Sequence, residues 1–116
     1  MADDRRKLQR KYLMFYTRVF NRRTGALLGN LADLTVEGLM LISEEPLPVN
    51  TLYDLRMDLP DGFGFPKRHL DMRGRSVWCA PDIDPHFQNT GFKLENVASE
   101  DVSIIERLVE DYGLRE

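Results

Sequence analysis

Short apolar and β-branched runs set off by turn residues fill most of the chain, with period-two alternation over Thr51–Leu59, and a helical period appears only near the end. Tyr12 to Phe20 is rich in aromatic and β-branched residues (Tyr12, Phe15, Tyr16, Thr17, Val19, Phe20), which predicts a first strand. Asn21-Arg22-Arg23-Thr24-Gly25 has the composition of a turn, and Ala26–Ala32 reads as a second strand weakened by Gly29. Asp33–Glu37 reads as a tight connection, after which Gly38 opens a third strand through Leu39-Met40-Leu41-Ile42. Two prolines make Glu45–Asn50 a loop. From Thr51 to Leu59, Tyr53, Leu55, Met57 and Leu59 interleave with Leu52, Asp54, Arg56 and Asp58, the pattern of a half-buried strand. A glycine- and proline-rich turn covers Pro60–Pro66, and His69–Ala80 follows as a strand. Its Val77-Trp78-Cys79 end reads as more buried than its Asp71-Arg73-Arg75 start, and Gly74 marks a candidate bulge. After a loop over Pro81–Asn89, Thr90–Val97 is the last strand.

The period then changes. Val102, Ile105, Leu108, Val109 and Tyr112 share one face of a helix, with Ile104 off that face as a hint of a second contact. Ser99 stands where an N-cap is expected, Glu100 and Asp101 fall in the first turn, and Gly113 supplies the stop. Six short strands followed by one amphipathic helix predict a mainly β domain, a small antiparallel barrel with a helix docked on it. Met40, Met57 and Met72 read as strand packing, Tyr12, Phe15 and Tyr16 as cover for the base of the barrel, Trp78 as core and Cys79 as a small buried hydrophobe.

Composition narrows the classes. The 116 residues allow one modest core, and 42% apolar with 30% charged residues is ordinary for a soluble globular protein. No stretch reaches the ~18–20 apolar residues of a membrane span, and the charged start Met1-Ala2-Asp3-Asp4-Arg5-Arg6 lacks the apolar run of a secretory signal, so the expectation is a cytoplasmic protein without membrane insertion. One cysteine and two distant histidines give no metal-site pattern and no disulfide. No serine has nucleophile-elbow surroundings, and no carboxylate stands beside a nucleophile or a metal set, so the expectation is not an enzyme.

The net charge of −3 hides an asymmetry: residues 1–23 hold eight basic and two acidic residues, a balance of +6, which leaves −9 for the rest. An acidic body argues against general DNA or RNA binding, which would spread basic charge over a face. A short basic arm suits a small anionic ligand or an acidic partner surface, or is a solvated tail.

Two short patterns give the arm a context. Arg6-Lys7-Leu8-Gln9-Arg10 is an RxxxR pattern ahead of the first strand, and Asp33-Leu34-Thr35-Val36-Glu37-Gly38 is a DxTxxG pattern ahead of the third. Twenty-two residues separate Arg10 from Asp33, room for a strand, a turn and a strand. Together with Gly74-Arg75-Ser76-Val77-Trp78, Thr90-Gly91-Phe92-Lys93-Leu94 and the closing helix, the chain resembles the PilZ family over roughly residues 5–112. The family's signature is RxxxR followed by [D/N]xSxxG; Thr35 stands where serine is usual, keeping the hydroxyl but adding a methyl and a stiffer χ1.

The resemblance implies a six-stranded antiparallel PilZ-type β-barrel over 12–97, a C-terminal helix over 98–113, and a flexible basic arm over 1–11. It implies a bacterial receptor for the second messenger cyclic di-GMP, with no other cofactor, acting in processes such as motility and biofilm formation through an unidentified effector protein. By position, the ligand contacts are Arg5, Arg6, Arg10, Asp33, Thr35 and Gly38. The chemistry is coherent. Cyclic di-GMP is a dianion whose guanines present O6 and N7 to a guanidinium fork and a flat face for stacking. Asp33 accepts from the guanine N1–H and N2–H₂, Thr35 donates to a phosphate oxygen, and Gly38 permits a φ > 0 turn or a close backbone approach. Arg5 adds a third guanidinium, which in the family leans toward a stacked ligand pair. The alternative is a PilZ-like protein-interaction adaptor that binds no nucleotide, with Thr35 as its support in sequence. For Asp33 and Gly38 ordinary turn chemistry is also open, as is a backbone-bonding β-turn hydroxyl for Thr35.

Overall fold

Turn chemistry sets the first hairpin. Asn21 Oδ1 accepts the Arg23 amide at 3.0 Å, Thr24 Oγ1 accepts the Ala26 amide at 3.2 Å, and Gly25 sits at φ +78°, where a side chain would be strained. In the computed structural model, which describes residues 17–60 and 64–112, this hairpin joins β1 (Arg18–Asn21) to β2 (Leu27–Leu34). β3 (Gly38–Ser43), β4 (Leu52–Asp58), β5 (His69–Pro81), β6 (Gln88–Glu95) and the helix α1 (Ser99–Tyr112) follow. The sheet closes on itself in the order β1-β2-β3-β6-β5-β4, every pair antiparallel. Closure removes the open edges that a six-stranded sheet would otherwise expose.

Period-two alternation places Val19, Leu31, Leu39, Leu41, Leu55, Met57, Leu70, Met72, Phe92 and Leu94 inside. α1 adds Ile104, Ile105 and Leu108 to the same cluster, with Leu59 and Leu34. Because all six strands alternate in direction, the connections sort into two ends. The start of β1, the β2–β3 turn, the β4–β5 loop and the exit of β6 into α1 share one end; the β1–β2, β3–β4 and β5–β6 connections share the other. Lys67 ties the first end together, its ammonium 2.6 Å from Asp101 Oδ1 and 3.2 Å from Glu100 Oε1 on α1, while the Arg107 guanidinium lies 4.5 Å over the Phe65 ring.

Several expectations shift. β2 runs through Asp33 and Leu34, so Asp33 is a strand residue and the connection shortens to Thr35–Glu37. β6 starts two residues earlier and ends at Glu95, where Asn96 takes φ +52°. Ile104 belongs to the buried face of α1, which runs through Asp101, Ile104, Ile105 and Leu108; Val102 and Val109 only flank it. Ser99 is the first helical residue, since the Ala98 carbonyl accepts from Asp101 and Val102, both at 2.9 Å, and so occupies the cap position. Gly74 is no bulge. It faces inward, where a Cβ would come 2.9 Å from Leu55 Cδ1. The irregularity in β5 falls between Ser76 and Trp78. Tyr12, Phe15, Tyr16 and Gly113 lie outside the described residues, as does the side chain of Tyr112.

Candidate functional site

The DxTxxG residues form one compact unit at the end that α1 closes. The Thr35 amide donates to the Gly38 carbonyl at 2.8 Å, and Thr35 Oγ1 accepts from the Glu37 and Gly38 amides, each at 3.2 Å. Threonine therefore pins its own turn, as the turn reading of this residue expects. Among the described residues its hydroxyl proton meets only the Gly38 carbonyl, at 3.4 Å, an oxygen already engaged by the Thr35 amide. Asp33 is exposed; its Oδ1 accepts the Leu34 amide at 2.9 Å, and Oδ2 carries no hydrogen bond among the described residues. The Glu37 carbonyl accepts the Leu94 amide at 2.9 Å, which fastens the turn to β6. Gly38 does not adopt positive φ; a Cβ there would sit 2.5 Å from the Phe92 carbonyl oxygen, so the close approach that excludes a side chain is that of β6.

Register extends this unit into a face. Asp33 pairs with Met40, Met40 with Gly91, and Gly91 with Trp78, one outward row across β2, β3, β6 and β5. A neighbouring row joins Gly38, Lys93, Arg75 and Leu52. Trp78 is 44% exposed, and the pyrrole ring of its indole packs against Gly91, where any Cβ would overlap the ring. This overturns the expected core position of Trp78 and the expected burial order within β5. Leu70, Met72, Gly74 and Ser76 point inward; the bulge after Ser76 then resets the alternation and leaves both Val77 and Trp78 outside. Cys79 is half-buried and accepts from Thr90 Oγ1 at 3.4 Å.

Arg5, Arg6 and Arg10 lie outside the described residues. The attachment of their segment is described. The Leu31 amide donates to the Thr17 carbonyl at 2.8 Å, so Thr17 lies against β2 at Leu31, two residues from Asp33. Elsewhere on the barrel, β1, β4 and β5 carry charge in matched pairs. Arg56 grips Asp71 with two hydrogen bonds of 2.8 and 3.1 Å, Arg18 meets Asp58 at 3.0 Å, and Arg73 and Arg23 both approach Asp54, at 3.4 and 3.7 Å. The Arg56 contact holds the Asp71 carboxyl below the ordinary carboxylate range, and Asp71 in turn raises Arg56. Among the described residues no three His, Cys, Asp or Glu side chains gather as metal ligands, and no helix is long and apolar enough to cross a membrane.

The PilZ domain family model matches residues 4–111. The chain belongs to the PilZ family. Among solved structures, this PilZ domain is similar to the Bacillus subtilis inhibitor of motility MotI/DgrA, with TM-score 0.63 and 8% identity over 81% of this chain and 44% of that one. It is also similar to Borreliella burgdorferi PlzA in complex with c-di-GMP, with TM-score 0.56 and 11% identity over 87% of this chain and 46% of that one. At these identities the likeness is one of fold, and the PilZ domain spans less than half the length of either neighbour. No curated protein matches the chain.

Proposed function

We propose that this PilZ domain is a cytoplasmic, non-catalytic receptor for cyclic di-GMP, which binds on the outer face beside Asp33–Gly38 and draws the basic arm over it. The observation that carries the reading is the tether at Thr17: the chain bearing Arg6 and Arg10 is rooted two residues from Asp33, at the end where the Thr35 turn stands. Seven residues from Thr17 to Arg10 reach ~25 Å at most. The row from Asp33 to Trp78 crosses three strand spacings, ~14 Å. The arm is long enough to fold back across the whole row.

In this arrangement the Asp33 carboxylate takes a guanine Watson–Crick edge, and the Thr35 hydroxyl donates to a phosphate oxygen. The Arg6 and Arg10 guanidiniums read O6 and N7 and stack on the bases, with Arg5 available to a second, stacked ligand. Trp78 offers an indole face on the same row. Binding favours the closed arm over the free one, and the altered surface passes the signal to an effector protein. The similarity to PlzA, solved with c-di-GMP, and the family membership support the ligand.

Isothermal titration with cyclic di-GMP, with cyclic di-AMP and GTP as controls, tests the reading. Micromolar or tighter binding of cyclic di-GMP alone is expected, with one or two ligands per chain read from the stoichiometry. Arg6→Ala and Arg10→Ala should each abolish tight binding and leave the melting temperature unchanged. Full affinity in both variants would sink the site. No binding by the folded wild type would leave the nucleotide-independent adaptor.

A further inference from the structure

Among the described residues Lys93 is the strand cation that the ion-pair network leaves out. Arg18, Arg22, Arg23, Arg56, Arg73 and Arg75 each approach a carboxylate. Lys93 is exposed, and among the described residues its ammonium has neither an ion pair nor a hydrogen bond. Its position is specific. Phe92 and Leu94 point into the core, so Lys93 points out, and its direct cross-strand partner is Gly38, which has no side chain to stand between them. The next residue, Leu94, donates its amide to Glu37 inside the Thr35 turn. On its other side Lys93 faces Arg75, a second cation that Glu95 meets only at 3.6 Å. Two like charges directly opposite on neighbouring strands disfavour the fold, and a bound anion relieves that cost.

We propose that Lys93 is a phosphate-binding residue of the ligand site. Its ammonium, on a flexible four-carbon stem, reaches over Gly38 to the phosphate that the Thr35 hydroxyl engages, with Arg75 behind it. The inference rests on the receptor reading. It gives the site a polarity: the phosphates lie along the Gly38–Lys93–Arg75 row, and a base lies toward Met40, Gly91 and Trp78. It also supplies a positive charge from the acidic body of the domain, fixed on a strand, in addition to the charges of the arm.

Titration of the full chain with cyclic di-GMP, at about 50 and about 300 mM NaCl, separates the possibilities. Lys93→Ala should weaken binding roughly 10- to 100-fold at the lower salt, as expected for loss of a charge-assisted hydrogen bond. The variant should also lose less affinity than wild type on going to the higher salt. Lys93→Arg should recover most of the affinity. Arg23→Ala, which removes the same charge at the opposite end of the barrel, should bind within about twofold of wild type. Lys93→Ala should melt no lower than wild type, since it removes only an exposed side chain and with it the repulsion from Arg75. Wild-type binding with equal affinity and equal salt dependence in Lys93→Ala overturns the role of Lys93 and leaves the receptor reading standing. A folded wild type that does not bind at all overturns both.

Discussion

Single residues on the outer face owe their roles to what their neighbours lack. Trp78 can pack onto β6 because Gly91 has no Cβ, and Gly38 can sit close against β6 because it has no side chain to meet the Phe92 carbonyl. An exposed indole costs the fold apolar burial, so a use in binding is the economical account. Base stacking is worth ~1–3 kcal/mol per base, which predicts that Trp78→Ala weakens cyclic di-GMP roughly 5- to 150-fold. Gly91→Ala provides an independent check, because its methyl must push the indole off the row while leaving Trp78 in place in sequence. Tryptophan fluorescence should report the displaced ring, and titration should show the same loss of affinity. Wild-type affinity in both variants removes Trp78 from the site.

At the scale of elements, what was legible depended on whether periodicity or an interruption of it decided the outcome. The six strands and the helix followed from apolar runs between turn residues and from the change to a helical period, and the alternating stretch of β4 is the clearest case: Leu55 and Met57, with Leu59 just beyond the strand, are buried as their spacing requires. The turn at Thr35–Glu37 was legible because a threonine hydroxyl and a following glycine each have a local reason to be there, although β2 runs on through Asp33 and Leu34. The faces of Val77 and Trp78 were not, since a single bulge after Ser76 moves every later residue of β5 to the other side and no residue type marks the place. Lys93 was unreadable for another reason: its significance lies in the pairing of all the other strand cations, which only the closed barrel brings about.

Ser76 shows how that bulge is held. It is fully buried, donates from Oγ to the Pro48 carbonyl at 2.7 Å and accepts the Thr51 amide at 3.1 Å, fastening the β3–β4 loop to β5. Ser76→Ala strands both backbone groups and should cost ~1–3 kcal/mol. It should appear as a lower urea midpoint with an unchanged slope. A wild-type midpoint would mean that the loop is anchored by other contacts.

Across the whole molecule the outer surface divides by charge. The face of β2, β3 and β6 carries Asp33 and Lys93 without ion pairs among the described residues, open to a ligand, whereas β1, β4 and β5 are bound into a ladder of matched charges around Asp54, Asp58 and Asp71. The ladder should serve stability and leave binding alone. Asp71 gives the test with a definite sign. Its carboxyl is held below the ordinary 3.8, first by the Arg56 hydrogen bonds, opposed by partial burial, and aided by the charges of Arg56, Arg22 and His69. A depressed folded-state pKa means that the unfolded chain binds the proton more readily, so the stabilisation is fully present above the unfolded value and is lost as pH falls through the folded one. Wild type should therefore melt a few degrees above Asp71→Asn at pH 7, the modest effect of a partly exposed pair. The two melting curves should converge as pH drops below 3.8. Cyclic di-GMP affinity at pH 7 should be the same in both. A melting difference that persists unchanged at low pH would trace the role of Asp71 to packing instead of charge, and a loss of affinity in Asp71→Asn would mean that the two faces are coupled through β5.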